Sequence, residues 1–211
     1  MKINLLITAL LFVSAATSFA QDDMNDTRKK NESFAKVNDK DIRTDLASFT
    51  FSGIDEGVIA LPLSKIPASA SGDNTMTFQS NEIKAQVITA PFDKSLHKLD
   101  FDDNTLIKID KRTYYGGYPK VPKTYIKSII ITIGKDTVAI PPSAYSDLFN
   151  LSFVYNDQAG SKHSANAVYV SKDKQKIYLY LFSKDNTGSY EVTFVIQDKK
   201  YIRRVLDYGF M

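Results

Sequence analysis

Residues 166–207 read NAVYVSKDKQKIYLYLFSKDNTGSYEVTFVIQDKKYIRRVLD, and this stretch decides the fold. Runs rich in β-branched and aromatic residues alternate with short clusters of Lys, Asp, Asn and Gly, a pattern typical of strands separated by tight turns. Connections this short join only antiparallel neighbours. The stretch therefore predicts a meander of four strands, over Asn166–Ser171, Lys176–Ser183, Tyr190–Gln197 and Tyr201–Asp207.

The alternation also predicts which side chains of the meander are buried. If residues 184–188 are mostly loop, Phe182 lies opposite Tyr190, and the two central strands share an aromatic face. That face carries Tyr178, Tyr180, Phe182, Tyr190, Val192 and Phe194. The other face is mixed and carries Ile177, Leu179, Leu181, Glu191, Thr193 and Val195. We expect the aromatic face to form the core, although a slip of one residue would exchange the two faces.

Upstream of the meander, from Leu46 onward, short apolar runs separated by turn clusters predict further strands. They cover 49–51, Val58–Leu63, Met76–Phe78, Ile83–Ile88, Leu96–Phe101, Leu106–Ile109, Tyr125–Ile133 and Thr137–Ile140, with Ile129, Ile131 and Ile133 on one face. Ile66–Asn74 is rich in Pro, Ala, Ser and Gly and predicts a loop.

Helix is scarce in this pattern. Pro141-Pro142-Ser143 and the residues that follow predict at most one short helix, near 142–150. The predicted fold class is therefore all-β, an antiparallel β-sandwich or open barrel. It forms a single domain over 46–211, with a subdivision near residue 120 left open.

Residues 1–20 have the pattern of a cleavable signal peptide. Lys2 precedes an apolar run over Leu5–Val13, and Ser18 and Ala20 place small residues before a cut at Gln21. We expect an exported protein, periplasmic or secreted. We expect no transmembrane segment after cleavage, because no later apolar run approaches the roughly 20 residues that span a bilayer. Residues 21–45 are polar and charged and predict a flexible leader, with a weak helix around Glu32–Val37.

Charge and cysteine content exclude several classes of function. The chain has 27 basic and 24 acidic residues, a net charge of +3, which attracts phosphate backbones or anionic lipid only weakly. We therefore expect no nucleic-acid partner. The chain has no Cys, which excludes thiol catalysis, thiolate metal sites and disulfides. No glycine cluster opens a helix to hold a phosphate, and we expect no cofactor.

The two histidines do not predict a metal site. His97 precedes several acidic residues, but these lack the Gly and the distal Glu of a calcium loop, so an acidic hairpin tip is the expected structure. His163 follows a polar loop and is expected at the surface.

Catalytic side chains are equally hard to identify. Ser-x-x-Lys pairs begin at Ser33, Ser95 and Ser171, but they lie among charged, polar residues where the lysine would stay solvated, and we interpret them as chance. Glu191 is an acid inside a strand, and a three-residue turn over 198–200 would set it near Asp207 rather than Arg203. We expect Glu191 to be solvated, and we assign no catalytic residue.

The best candidate site is the loop Thr113–Pro119, hereafter the tyrosine loop. Three tyrosines, Tyr114, Tyr115 and Tyr118, surround two glycines, and Arg112 precedes them. Flexible backbone could present these amphipathic rings to a sugar face or a protein surface. The alternative is that the rings fold back onto the sheet.

Three functional hypotheses follow. The first is a non-enzymatic exported β-sandwich that binds a glycan or an envelope protein through Tyr114, Tyr115, Tyr118 and Arg112. The second is an extracytoplasmic hydrolase, glycosidase-like, that uses two carboxylates not yet identified. The third is an assembly subunit that offers an unpaired sheet edge to a neighbour.

Overall fold

The computed structural model describes residues 30–56, 63–184 and 189–210. The predicted signal peptide, residues 21–29 of the predicted leader and residues 58–62 of the predicted strand Val58–Leu63 lie outside these ranges. No helix within them is long and apolar enough to cross a bilayer.

Strands dominate the described chain, and the prediction of an all-β antiparallel fold is confirmed. In chain order the strands are β1 Ser64–Ser71, β2 Thr75–Gln79, β3 Ile83–Pro91, β4 Leu99–Asp102, β5 Thr105–Ile109, β6 Thr124–Ile133, β7 Asp136–Val138, β8 Tyr155–Asn156, β9 Lys162–His163, β10 Ala167–Val170, β11 Lys176–Ser183, β12 Ser189–Gln197 and β13 Lys200–Phe210. Nine of them form one large, nearly closed sheet in the order β13-β12-β11-β10-β1-β2-β3-β6-β7. β4 with β5, and β8 with β9, form two small hairpins.

Strand β1 joins the two halves of the large sheet. Its first residues pair with β10 (Ile66 with Val168), and its later residues pair with β2 (Ala68 with Phe78), across an irregularity between Ala68 and Ala70. The loop predicted at Ile66–Asn74 is therefore wrong. Small Ala and Ser side chains gave little strand signal, and the strand forms because both neighbours supply hydrogen-bonding partners.

The C-terminal meander is confirmed, since β10, β11, β12 and β13 are sequential antiparallel neighbours. The predicted register of β11 and β12 is wrong by one residue: Ser183, not Phe182, lies opposite Tyr190. The shift changes which faces of the two strands combine, as the period of two requires. Tyr190, Val192 and Phe194 of β12 face the core as predicted, but they lie beside Ile177, Leu179 and Leu181 of β11. Tyr178 and Tyr180, which were predicted to face the core, lie on the outer side with Glu191.

One core fills the space between the two halves of the sheet. Ile177, Leu179 and Leu181 of β11 meet Met76, Phe78, Ala85, Val87, Ile129 and Ile131 of β2, β3 and β6 there. The predicted inward face of β6 is confirmed, with Ile133 packed at its margin. The strands predicted at 76–78, 83–88, 106–109, 125–133 and 137–140 are found with shifts of a few residues at their ends.

Residues 30–56, hereafter the strap, pack on the outer face of the C-terminal half. Helix α1 (Lys40–Ala47) begins at Asp39, whose side chain accepts a hydrogen bond from Ile42 N at 2.9 Å. Ile42 and Leu46 are one helical turn apart, and both are buried against Tyr178, Val195 and Val205, together with Phe34, Val37 and Ala47.

The strap corrects several predictions. Residues 30–45 are folded rather than a flexible leader, because Phe34, Val37 and Ile42 are buried against side chains of the sheet. A single 3₁₀ turn at Phe34–Lys36 replaces the weak helix. Residues 49–51 follow α1 and form no strand, although Phe49 stacks on Tyr169 at a centroid distance of 4.1 Å. Near 142–150 there is only a 3₁₀ turn, Pro142–Ala144, and α1 is the one α-helix in the part of the chain that the structure describes.

Candidate functional site

The tyrosine loop leaves β5 through a tight reversal and folds back on the body of the protein. Arg112 pairs with Ile109 across a turn in which Asp110 and Lys111 both have positive φ. Tyr115 N donates to Asp147 O at 2.9 Å, and Tyr115 O accepts from Phe149 N at 2.8 Å. A side chain at Gly116, which has a φ of +91°, would overlap the carbonyl oxygen of Phe149, so only glycine fits this approach.

This pairing turns the three rings inward. The exposed fractions of Tyr114, Tyr115 and Tyr118 are 1%, 5% and 7%, so the loop does not present them to solvent. The Tyr114 hydroxyl lies 3.1 Å from Leu106 O and 3.0 Å from Lys120 O, and it donates to these carbonyls. Tyr115 packs against Tyr208 at a centroid distance of 5.3 Å. Arg112 remains exposed.

A concave site opens beside the loop, and we call it the aromatic pocket. Its volume is about 300 Å³, and Arg112 and Tyr114 are among the residues that line it. Its apolar wall combines side chains from the residue after β3, from the tyrosine loop, from β6 and from the segment after β7. These are Phe92, Tyr114, Tyr125, Pro142, Tyr145 and Phe149. The sequence prediction thus identified two lining residues, while Tyr115 and Tyr118 lie outside this pocket.

The aromatic wall is held rigidly. The Phe92 ring stacks on His97 at 4.5 Å between centroids and meets Phe149 edge to face at 5.4 Å. Such geometries are favourable for aromatic rings and fix their orientation. The wall is therefore formed before any ligand arrives, which lowers the entropy cost of binding.

Two polar side chains at the pocket rim, Asp110 and Arg112, form hydrogen bonds with neighbouring residues. Asp110 Oδ2 lies 2.7 Å from His97 Nδ1, and Asp110 Oδ1 accepts from Lys98 N at 2.8 Å. The His97 hydrogen bond, followed by the one from Lys98 N, lowers the pKa of Asp110 below its ordinary value. Arg112 Nη1 donates to Ser146 Oγ at 3.1 Å, which fixes the guanidinium at the rim.

A buried ion pair lies behind the pocket. Arg204 of β13 donates to both carboxylate oxygens of Asp147, at 2.6 and 2.8 Å, and also contacts Glu32 of the strap at 2.7 Å. Burial acts to lower the pKa of Arg204, but the hydrogen bonds to Asp147 and Glu32 outweigh it, and the pKa is raised. A second cavity, of about 570 Å³, lies beside this pair and shares Arg112, Thr113 and Asp147 with the aromatic pocket.

Comparison of this chain with protein-family models, with curated proteins and with solved structures gave no match. The site must therefore be interpreted from its own chemistry.

The histidines take part in pairs with single carboxylates. His97 lies beside Asp110 in the turn after the β4–β5 hairpin, and Asp102 and Asp103 form the acidic tip that the sequence predicts. His163 is exposed, with Nε2 lying 2.8 Å from Asp157 Oδ2. Within the described ranges, no group of three or more His, Cys, Asp or Glu side chains could hold a metal ion.

The Ser-x-x-Lys pairs have structural explanations. The hydroxyls of Ser95 and Ser171 donate to Asp93 and Asp173, at 2.6 and 2.5 Å. Ser33, a residue of the strap, is buried, while Lys36 is exposed. None of these hydroxyls is held by a desolvated lysine in the described structure.

The expectation that Glu191 is solvated is wrong, and its neighbour Asp207 explains part of its surroundings. They lie opposite each other on β12 and β13, as predicted, but the predicted three-residue turn is wrong. Gln197 pairs with Lys200, and an irregularity between Val195 and Ile196 restores the pairing of Glu191 with Asp207. Glu191 is buried rather than solvated, and Asp207 is buried beside it. The strap covers them: Phe51 N, Ser52 N and Ser52 Oγ donate to the Glu191 carboxylate at 2.8, 2.8 and 2.6 Å, and Tyr180 OH donates at 2.8 Å. Asp207 Oδ2 accepts from Phe34 N at 2.7 Å.

The sequence did not predict most of the residues that line the aromatic pocket. Its members come from separate parts of the chain, and their approach depends on the pairing of the tyrosine loop with residues 147–149. Two local signals were present. Lys127 interrupts the apolar run of β6, and Tyr145 follows the Pro141-Pro142 turn where a helix was expected.

Proposed function

We propose that this protein is an exported, non-enzymatic β-sheet protein that binds a glycan in the aromatic pocket. The observation that carries the proposal is a preformed concave site with an aromatic wall and a fixed guanidinium at its rim. Sugar rings have apolar C–H faces that pack on aromatic side chains, and their hydroxyls need polar partners at the edge.

The size of the pocket favours a glycan over an envelope protein as its occupant. About 300 Å³ is the lower end of the volume range of small-molecule sites, and it accommodates roughly one ring. Protein partners instead use surfaces of about 800 Å² on each side. Export remains part of the proposal because it rests on the pattern of residues 1–20.

The arrangement of the carboxylates supports glycan binding better than glycan hydrolysis. A glycosidase needs two carboxyl groups that face the substrate, one of them free to donate a proton. Glu191 and Asp207 are the buried pair, but they lie beneath the strap, and both oxygens of Glu191 accept hydrogen bonds from protein donors. The acids at the aromatic pocket, Asp110 and Asp147, are engaged by His97 and Arg204.

A glycan array probed with the purified protein tests this function. Ser146 is exposed at the pocket rim, and Ser146→Trp would fill the pocket without disturbing the core. Ser143→Trp, on the same turn but outside the lining, is the matched control. We expect the wild type and Ser143→Trp to bind the same glycans and Ser146→Trp to lose them.

Two results would overturn the proposal. One is an array on which no glycan binds the wild type, and the other is a Ser146→Trp variant that binds as well as the wild type. Release of new reducing ends from a bound glycan would favour the hydrolase hypothesis instead.

A further inference from the structure

We propose that the aromatic pocket selects a sugar that carries a carboxylate, a uronic acid, over its neutral counterpart. This inference rests on the proposed function and names its ligand class. It is carried by the juxtaposition of Arg112 and Lys127, two cations without an acidic partner in the described structure, with a rigid aromatic wall.

The acids that line the pocket are already engaged. Both oxygens of Asp147 accept from Arg204, and the two oxygens of Asp110 are taken by His97 and by Lys98 N. In the described structure, these carboxylates pair with His97 and Arg204 and form no ion pair with Arg112 or Lys127. The two cations at the rim are therefore available to an anionic ligand.

The cations, in contrast, keep donors free. Among the described residues, the side chain of Arg112 makes one hydrogen bond, to the neutral hydroxyl of Ser146. Its remaining N–H groups can form the two parallel hydrogen bonds that a planar carboxylate accepts. Lys127 lines the same pocket, is exposed and forms no ion pair in the ranges that the structure describes.

The position of Lys127 has a structural cause. In the pairing of β3 with β6, Ile88 lies opposite Ser128 and Thr89 lies opposite Ile126, so Lys127 is the extra residue of a β-bulge. Bulges turn a side chain away from the regular alternation of a strand and occur frequently beside binding sites. The bulge lets a charged residue line the pocket from within an otherwise apolar strand.

The two halves of the site match the two halves of a uronic acid. The apolar face of a six-membered ring would lie on the wall formed by Phe92, Tyr125 and Tyr145, and the C6 carboxylate would meet Arg112 and Lys127. The second cavity begins at Arg112 and offers space for a further sugar unit of a polymer.

Calorimetric titration with D-glucuronate and D-glucose tests the inference, because these sugars differ only in the group at C6. We expect the dissociation constant of D-glucuronate to be at least about tenfold lower, as a charge-assisted hydrogen bond implies. Arg112→Gln and Lys127→Gln should each reduce this preference, because they weaken the binding of D-glucuronate more than that of D-glucose. Lys111→Gln, an exposed neighbour outside the pocket lining, is the matched control and should retain the preference.

The outcomes separate this inference from the proposed function. If D-glucose binds as tightly as D-glucuronate and Ser146→Trp abolishes both, the carboxylate preference is refuted while glycan binding stands. If neither sugar binds and no array glycan binds, the proposed function fails. A uronate trisaccharide that binds tighter than the monosaccharide identifies a polymer as the source, and equal affinities identify a single acid.

Discussion

At the scale of single residues, the buried carboxylates show how the structure compensates for charge. Glu191 accepts four hydrogen bonds, three of them from residues 51 and 52 of the strap. Such charge-assisted bonds are the condition under which a carboxylate can be buried. Asp207 is less well compensated. Burial raises its pKa, the hydrogen bond from Phe34 N lowers it, and the neighbouring Glu191 raises it further.

The raised pKa of Asp207 predicts a pH-dependent stability. Between the unfolded pKa of about 4 and the higher folded pKa, the native state binds more protons than the unfolded state, so this group lowers the free energy of unfolding as pH rises. Asp207→Asn removes this dependence and keeps an oxygen for Phe34 N. We expect the stability of the variant relative to wild type to increase from pH 4 to pH 7, measured by urea denaturation.

Asp110→Asn is the matched control, for which we expect the opposite change of stability with pH. The pKa of Asp110 is lowered, so its contribution to stability is present above the unfolded pKa and is lost as pH falls through the folded pKa. The variant should lose stability relative to wild type as pH rises. Parallel pH profiles for the two variants would contradict the assignment of Asp207 as the poorly compensated acid.

The tyrosine loop shows what residue-level reasoning could reach. Its composition drew attention to Arg112 and Tyr114, and the structure places both in the lining of the aromatic pocket. The sequence left open whether the rings face solvent or fold back onto the sheet. They fold back because Tyr115 forms backbone hydrogen bonds with Asp147 and Phe149, about thirty residues later in the chain. Local patterns carry no information on such pairing.

At the scale of elements, the strap is held by close backbone packing as well as by its apolar side chains. Gly53 lies in the segment after α1, next to Phe51 and Ser52, which donate to Glu191. A Cβ at this position would lie 2.6 Å from Ala47 Cα and 2.9 Å from Thr50 Oγ1. Because the closest atom is backbone, the clash cannot be relieved by rotating a side chain.

Gly53→Ala should therefore loosen the strap. We expect a loss of about 1–3 kcal/mol in the free energy of unfolding, the range found for overpacked sites, and faster proteolysis between residues 30 and 56. Gly72→Ala is the control, since its nearest atom would be Thr75 O at 3.9 Å. Equal proteolysis rates for the two variants would refute the tight packing of the strap.

Elements with strong alternation were predicted well, and those without it were not. β6 and the strands of the meander repeat every second residue and were located within a few residues. The predicted register of β11 against β12 was wrong by one residue. A change of one residue in the connecting loop moves the side chains of one strand to the other face relative to its partner, and the alternation does not reveal the length of the loop. The prediction of a flexible leader was wrong for the strap because its apolar residues are sparse and are buried only against the folded sheet.

At the scale of the whole molecule, one core is shared by both halves of the sheet. β1 pairs with a strand from each half, and the inner faces of both contribute to the same cluster. At the ends of the sheet, Lys199 of the β12–β13 turn contacts Asp136 of β7 at 2.6 Å. Neither half can bury its apolar face without the other.

This arrangement predicts a single cooperative unfolding transition. Phe78→Ala and Phe194→Ala lie in opposite halves, and both side chains are fully buried. Each should lower the free energy of unfolding by about 3–5 kcal/mol and shift the entire transition, followed by far-UV circular dichroism and by tyrosine fluorescence. Two separated transitions, with each variant moving only one of them, would instead support two domains divided near residue 120.

The attachment of the strap to β13 also sets an order of events during synthesis. Phe34 N binds Asp207, 173 residues later, and Leu206 N donates to Glu32 O. The strap is synthesised before β11, β12 and β13, which form its docking surface. It can therefore dock only after these three strands have been synthesised, so that docking of the strap follows formation of the C-terminal meander.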